Sequence, residues 1–272
     1  MVQERKRPLT ARSVLASALL GADPPELPVA HLVHLAGLFG INGNRARVAL
    51  SRMVASGEVT TDGAGSYRLS GHLLRRRDRQ EASRAGRAGR WSGAWHVVVV
   101  TTSGSPAEVR AARRRSLEFA RLAELREGTW VRPDNLALDL APSLASDVVV
   151  FTGPSDGDPA ALAGSLWDLG AWARRARELQ RALVDLDPRG PADLAPGFEL
   201  SAGVLRHFQA DPLLPDELLP DDWPGGGLRR DYDDWDRRYR SVLAAWSRAP
   251  GRRPARRRSA ELGELAVQPG GQ

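Results

Sequence analysis

Asn44, Arg45, Arg47, Val48, Ser51 and Arg52 crowd into one short run and carry the groups that base edges and phosphates accept. Arginine donates two parallel hydrogen bonds to guanine, asparagine pairs with adenine, serine serves either, and an aliphatic side chain meets the thymine methyl. On an idealised helix Ala46, Ala49, Leu50 and Met53 recur at i, i+3, i+4 and i+7 as one apolar stripe. Asn44, Arg47, Val48, Ser51 and Arg52 fall opposite, with Arg45 at the edge. Helix-turn-helix proteins present such a helix to the major groove. An ordinary amphipathic surface helix has the same wheel, so the flanking elements decide between the two.

Those elements favour the first reading. Thr10–Leu20 has helical periodicity, with Thr10 as N-cap and Gly21 as stop. A Pro-rich connection, Asp23 to Pro28, leads to a second apolar-periodic stretch, Val29–Phe39. Gly40 supplies the turn, and Asn42 or Asn44 caps the third helix. Beyond Gly57, Glu58–Thr61 and Ser66–Ser70 flank Asp62-Gly63-Ala64-Gly65, a hairpin signal. Three helices and a hairpin predict a winged helix-turn-helix over 1–72, with Arg68 as a further donor on the wing. Charge agrees: residues 1–90 carry 15 Lys/Arg against 7 Asp/Glu, and the remainder 24 against 26. The basic surplus therefore sits where phosphates would be neutralised.

The chain of 272 residues is long enough for two or three domains. It contains no cysteine, which removes disulfides, thiolate metal sites and a cysteine nucleophile. No apolar run reaches bilayer length and the first residues lack a signal-peptide core, so a soluble cytoplasmic protein without membrane contact is expected. Neither a Gly-x-Ser-x-Gly elbow nor a phosphate loop ending in Gly-Lys-Ser/Thr is present. His31 and His34 lie in an apolar helix without a nearby third ligand, so no metal site is assigned.

Residues 73–92 read as an arginine-rich linker. Trp95–Thr101 is a buried strand by its β-branched content, Pro106–Glu127 a long amphipathic helix, Trp130–Pro133 and Asp147–Thr152 further strands, and Leu162–Leu186 a second long helix. This β-α-β-β-α order predicts a ferredoxin-like α+β domain over 93–187. Some proteins of that fold cut nucleic acid through carboxylates at the end of the first strand. Here the strand ends in Thr101-Thr102-Ser103, with no acid to ligate a hard cation, so the domain is read as a dimerisation or coupling platform. A helical C-terminal domain over 188–249 contains a proline-fixed, leucine-rich segment, Asp211 to Gly225, able to wall a pocket. Gly225–Gly227 frees the chain before a last helix, Leu228–Trp246. Its acids are offset by Asp233/Arg237, Asp234/Arg238 and Asp236/Arg240 at i, i+4, a solvated ion-paired face. Residues 250–272 form a basic, disordered tail.

Thr10-Ala11-Arg12-Ser13, Gly40-Ile41-Asn42, Arg47 to Arg52, Tyr67 to Ser70, Trp95, Arg132 to Asn135, Asp211 to Pro215 and Leu218 to Gly225 together resemble the PaaX family. The resemblance runs from about Pro8 to Trp246 in matching order. It implies a dimeric transcriptional repressor of phenylacetate catabolism, built as winged helix, ferredoxin-like centre and C-terminal domain. It also implies that Arg45, Arg47, Ser51 and Arg52 contact double-stranded operator DNA, and that phenylacetyl-CoA or another acyl-CoA releases the protein. No cofactor and no catalytic residue are implied. Gly43 departs from the acid the family often carries after the turn asparagine. For the effector, Arg206, His207 and Trp223 beside the Pro-Leu segment are the candidates. Two alternatives stay open: a DNA-binding protein without an effector, and an enzyme acting on a CoA thioester or nucleic acid.

Overall fold

The computed structural model describes residues 9–87 and 89–248; the tail expected at 250–272 lies outside the described residues. The chain is mixed α and β, with two antiparallel sheets. Helix α1 (Ala11–Gly21) begins at a reciprocal cap. The Ser13 amide donates to Thr10 Oγ1 at 3.1 Å, and the Thr10 amide donates to Ser13 Oγ at 2.9 Å. Helices α2 (Val29–Gly37) and α3 (Gly43–Ala55) follow, then strands β2 (Val59–Thr61) and β3 (Ser66–Leu69). Glu26–Pro28, expected to be only a connector, is β1 and pairs with β3, giving the order β1-β3-β2. Leu15, Leu19, Leu32, Leu50, Met53 and Leu69 close the core beneath these elements.

Residues 73–92, expected as a linker, are largely helical. Helix α4 (Gly71–Ala85) ends at Gly86, which takes the left-handed conformation at φ +59. Few apolar residues mark it, because arginine stems stand in for aliphatic side chains. Leu73 and Ser83 are buried, and the Arg79 guanidinium lies 3.4 Å over the Phe119 ring.

The second sheet comprises β4 (Ala94–Val100), β5 (Ala123–Arg126), β6 (Thr129–Pro133) and β7 (Val148–Pro154), in the order β5-β6-β4-β7. The helix expected over Pro106–Glu127 is two elements. Helix α5 (Ala107–Phe119) stops, the chain turns through Arg121 at φ +62, and β5 pairs with β6 across Gly128 at φ +75. The helix expected over Leu162–Leu186 is also divided, into α6 (Pro159–Leu166) and α7 (Leu169–Asp185). Trp167 is extended at the break, and Asp168 caps α7 by accepting from the Ala171 amide at 2.8 Å. The element order is therefore β-α-β-β-β-α-α, one strand and one helix more than expected. On one face of β4, Val98 packs with Leu117 of α5; on the other, Trp95 packs with Ala163, Leu214 and Leu218.

Helices α8 (Leu194–Gln209) and α9 (Gly225–Arg248) join α7 around Phe208, Tyr232 and Trp235. Gly225–Gly227 does not loosen the chain; it forms the first turn of α9. A Cβ at Gly225 would lie 2.5 Å from the Trp223 indole nitrogen, so the small residue serves packing. On α9 only one of the three expected pairs forms, Asp236–Arg240 at 2.9 Å. Asp233 turns to Arg84, Arg238 to Asp187 and Arg237 to Asp234. Asp236 is itself buried, so this part of the helix is not a solvated face.

Candidate nucleic-acid interface and adjoining clefts

Two local features aim α3. Gly40, at φ +68, lets the chain reverse after α2, and the Ile41 amide returns to the Ala36 carbonyl at 3.2 Å. Asn42, the first of the two candidate caps, then accepts from the Arg45 amide at 2.9 Å. The stripe predicted to face inward does so: Ala46, Leu50 and Met53 are buried and Ala49 is half-buried. Asn44, Arg45, Arg47, Val48, Ser51 and Arg52 are all exposed. Among the described residues none of the three arginines forms an ion pair, so each keeps its donors. A Cβ at Gly43 would sit 3.1 Å from Val33 and from the Arg47 guanidinium. Glycine at this position lets the start of α3 approach α2 closely.

The hairpin beside α3 is shaped by Asp62, whose Oδ1 accepts from the Ala64 and Ser66 amides at 2.8 and 2.9 Å. These amides hold its carboxyl below the ordinary carboxylate range. Arg68 stands differently from the α3 arginines. It faces Glu26 across the β1–β3 ladder and donates to that carboxylate through Nε at 2.9 Å and Nη2 at 2.6 Å. Its charge is already compensated. Arg12 is likewise engaged, gripping the buried Glu58 from α1 with Nε 2.9 Å from Oε2. That guanidinium holds the Glu58 carboxyl below its usual range, and the pair ties α1 to the residue that precedes β2.

Of the three residues predicted to meet an effector, His207 and Trp223 meet through Trp172, and Arg206 lies apart. His207 stacks on Trp172 at 4.2 Å, and Trp172 stacks on Trp223 at 4.4 Å, a ladder of three rings. Burial pushes the His207 imidazole pKa down, and its buried Nε2 has no hydrogen-bond partner. Trp223, Leu213, Leu214 and Arg229 wall an open cleft of about 570 Å³, so the Pro-Leu segment does line a cavity. Arg206 borders another cleft, between α1, α4, α8 and α9.

Two segments noted in the sequence meet at a buried junction. Asn135 Nδ2 donates to the Leu213 carbonyl at 2.9 Å, Arg132 donates to Asn135 Oδ1 at 3.3 Å, and Arg121 donates to the Asp211 carbonyl. Arg229 completes the junction, binding Asp211 Oδ2 and the Ser83 carbonyl of α4 at 2.8 and 3.1 Å. Burial pushes the Arg132 pKa down to about 10. The resemblance at Arg132–Asn135 and Asp211–Leu213 thus falls on the joint between sheet and C-terminal helices. Sequence reasoning missed Arg76, Arg77 and Arg84 of α4, which line the second cleft, because no apolar period marks that helix.

Of the two histidines of α2, His34 stacks on Trp246 at 3.9 Å. His31 is half-buried, with its pKa lowered by burial and then by His34. Among the described residues no group of three or more His, Asp or Glu is placed to hold a metal ion, and no helix is long and apolar enough to cross a membrane.

The N-terminal module thus presents an exposed arginine face on a capped helix beside a hairpin. Residues 10–73 match the family model described as PaaX-like protein. The chain belongs to the PaaX-like family, whose members are regulators of transcription. It is similar over most of its length to a solved structure described as an uncharacterized protein, Rv0674, from Mycobacterium tuberculosis. That similarity has 42% identity, covers 87% of this chain and 98% of the other, and gives a TM-score of 0.70. No curated protein matches the chain.

Proposed function

We propose that this chain is a homodimeric repressor that reads operator DNA with α3 and the β2–β3 hairpin. In this reading phenylacetyl-CoA, or another acyl-CoA, releases it from genes for aromatic-acid catabolism. The N-terminal elements are then a winged helix-turn-helix. The central sheet is then ferredoxin-like, supported by its antiparallel order β5-β6-β4-β7 with α5 crossing between β4 and β5. It departs from that pattern between β6 and β7, where a 3-10 turn, Pro142–Leu144, stands in place of a helix. The C-terminal helices hold the effector and the protein has no catalytic role. The observation that carries the reading is the outer face of α3. Arg45, Arg47 and Arg52 are exposed and unpaired among the described residues, and the other side of their helix is core. Arg68, bound to Glu26, contributes less than these three. An effector acts only by favouring the arrangement that does not bind DNA.

A gel shift with DNA upstream of the protein's own gene tests this. Arg47→Ala and Arg52→Ala should each cost about 1–3 kcal/mol wherever the contact is bidentate to guanine. Wild-type affinity in the double variant overturns the assignment.

A further inference from the structure

The cleft bordered by Arg206 has a volume of about 470 Å³, within the range of small-molecule sites. Its walls come from both ends of the chain: Gly21 and His31 from the N-terminal module, Arg76 and Arg84 from α4, and residues of α8 and α9. Its apolar lining includes Leu27, Leu35, Phe198, Leu205 and Leu243. Five arginines against three carboxylates leave a cationic excess. Arg76 and Arg206 are exposed and carry no ion pair among the described residues.

Contacts among the residues lining the cleft seat the N-terminal module. Buried Asp236 accepts from Arg84 and Arg240, each at 2.9 Å, and Arg240 also donates through Nη1 to the Gly21 carbonyl at the end of α1, at 2.8 Å. The His34–Trp246 stack and a Phe39–Phe198 edge contact at 5.0 Å are further points where the same two parts touch.

We infer that this cleft, not the ring ladder around His207, binds a ring- or chain-bearing anion, a free carboxylic acid or its CoA thioester. Its apolar part lies among Leu27, Leu35 and Leu205 and its charge at Arg76 and Arg206. Occupancy shifts the N-terminal module because the ligand enters between the surfaces that Arg240 and Asp236 hold together. This rests on the effector-responsive reading above and assigns that response a place. A ligand wedged between two docked parts favours the arrangement in which they separate, which is the differential binding that coupling requires.

Isothermal titration of the full chain with phenylacetate and with phenylacetyl-CoA, paired with ligand release in the gel shift, tests the site. Ala202→Trp, which fills the cleft, and Arg206→Glu, which alters only an exposed charge, should each weaken binding and release at least about tenfold, with thermal melting verifying the fold. Arg206→Glu keeps the test valid if the tryptophan variant fails to fold. The titration also distinguishes the free acid from the thioester. Binding that both variants leave unchanged overturns the cleft and leaves the effector reading standing. Failure of the wild type to bind either probe, with operator binding intact, overturns both.

Discussion

His207 sits in an environment that prefers its neutral form. Its ring is stacked on Trp172, its Nε2 has no partner, and Arg175 and Arg229 oppose a positive charge, against which Asp211 and a hydrogen bond with Trp172 favour it. Burial is the largest cause of its lowered pKa, as it is for His31. In the unfolded chain each imidazole titrates near 6.5. Between that value and the lower folded value the unfolded chain binds more protons. The stability these groups contribute is therefore complete above about 6.5 and lost as pH falls through the folded values. Urea midpoints should drop from pH 7.5 to pH 5, and His207→Phe, which keeps a ring on Trp172, should flatten that decline. An equal slope in the variant would show that His207 is not among the groups responsible. His207 and Arg206 are neighbours in sequence, but the helix sends one to the ring ladder and the other to a separate cleft. Sequence proximity to the Pro-Leu segment could not reveal that division.

Elements with a strong local signal were legible in the sequence, and those defined by distant partners were not. The cap at Thr10, the turn at Gly40 and the stripe Ala46–Leu50–Met53 are local, and the structure places them as read. Strand β1 exists only because β3 lies alongside it. The sequence of β5 continues the helical pattern of α5, but Arg121 turns the chain before it, and α4 buries arginine stems that no apolar period records. Helix α8 shows how distant packing decides even the sign of a substitution. A glycine inside a helix ordinarily costs about 1 kcal/mol relative to alanine. At Gly203 an added Cβ would meet only the Arg206 side chain, at 3.9 Å, so Gly203→Ala should stabilise by about that amount. At Gly197 the Cβ would lie 2.6 Å from the Tyr239 ring, which is fixed by its own hydroxyl bond to the Leu194 carbonyl at 2.9 Å. Gly197→Ala should therefore destabilise, by about 1–3 kcal/mol, as overpacking does. Urea denaturation of the two variants should move the midpoint in opposite directions; stabilisation by both would mean that α8 and α9 are not pressed together at Gly197.

For the whole molecule, the proposed homodimer would need a contact surface, and an open sheet edge offers one. Among the described residues strand β7 ends the second sheet, pairing only with β4, and its Val149, Val150 and Phe151 are exposed on both faces. An apolar edge strand with unpaired backbone groups recruits another strand unless it is covered. A second copy of β7, related by a two-fold axis, would extend the sheet across both protomers and bury Phe151 against its symmetry mate. In the proposed reading, two α3 helices carried on such a dimer would meet DNA at two half-sites, and affinity for the operator would depend on the pairing. In such a dimer Phe151→Lys would place like charges opposite each other across the axis without disturbing the core, because the ring is 59% exposed in the single chain. Light scattering should show that variant as a monomer, and its gel shift should retain only weak, strongly salt-dependent DNA binding through the unaltered α3 arginines. A Phe151→Lys protein that stays dimeric with full operator affinity would place the two-fold contact elsewhere, whereas a monomer with full affinity would show that one α3 helix suffices for recognition.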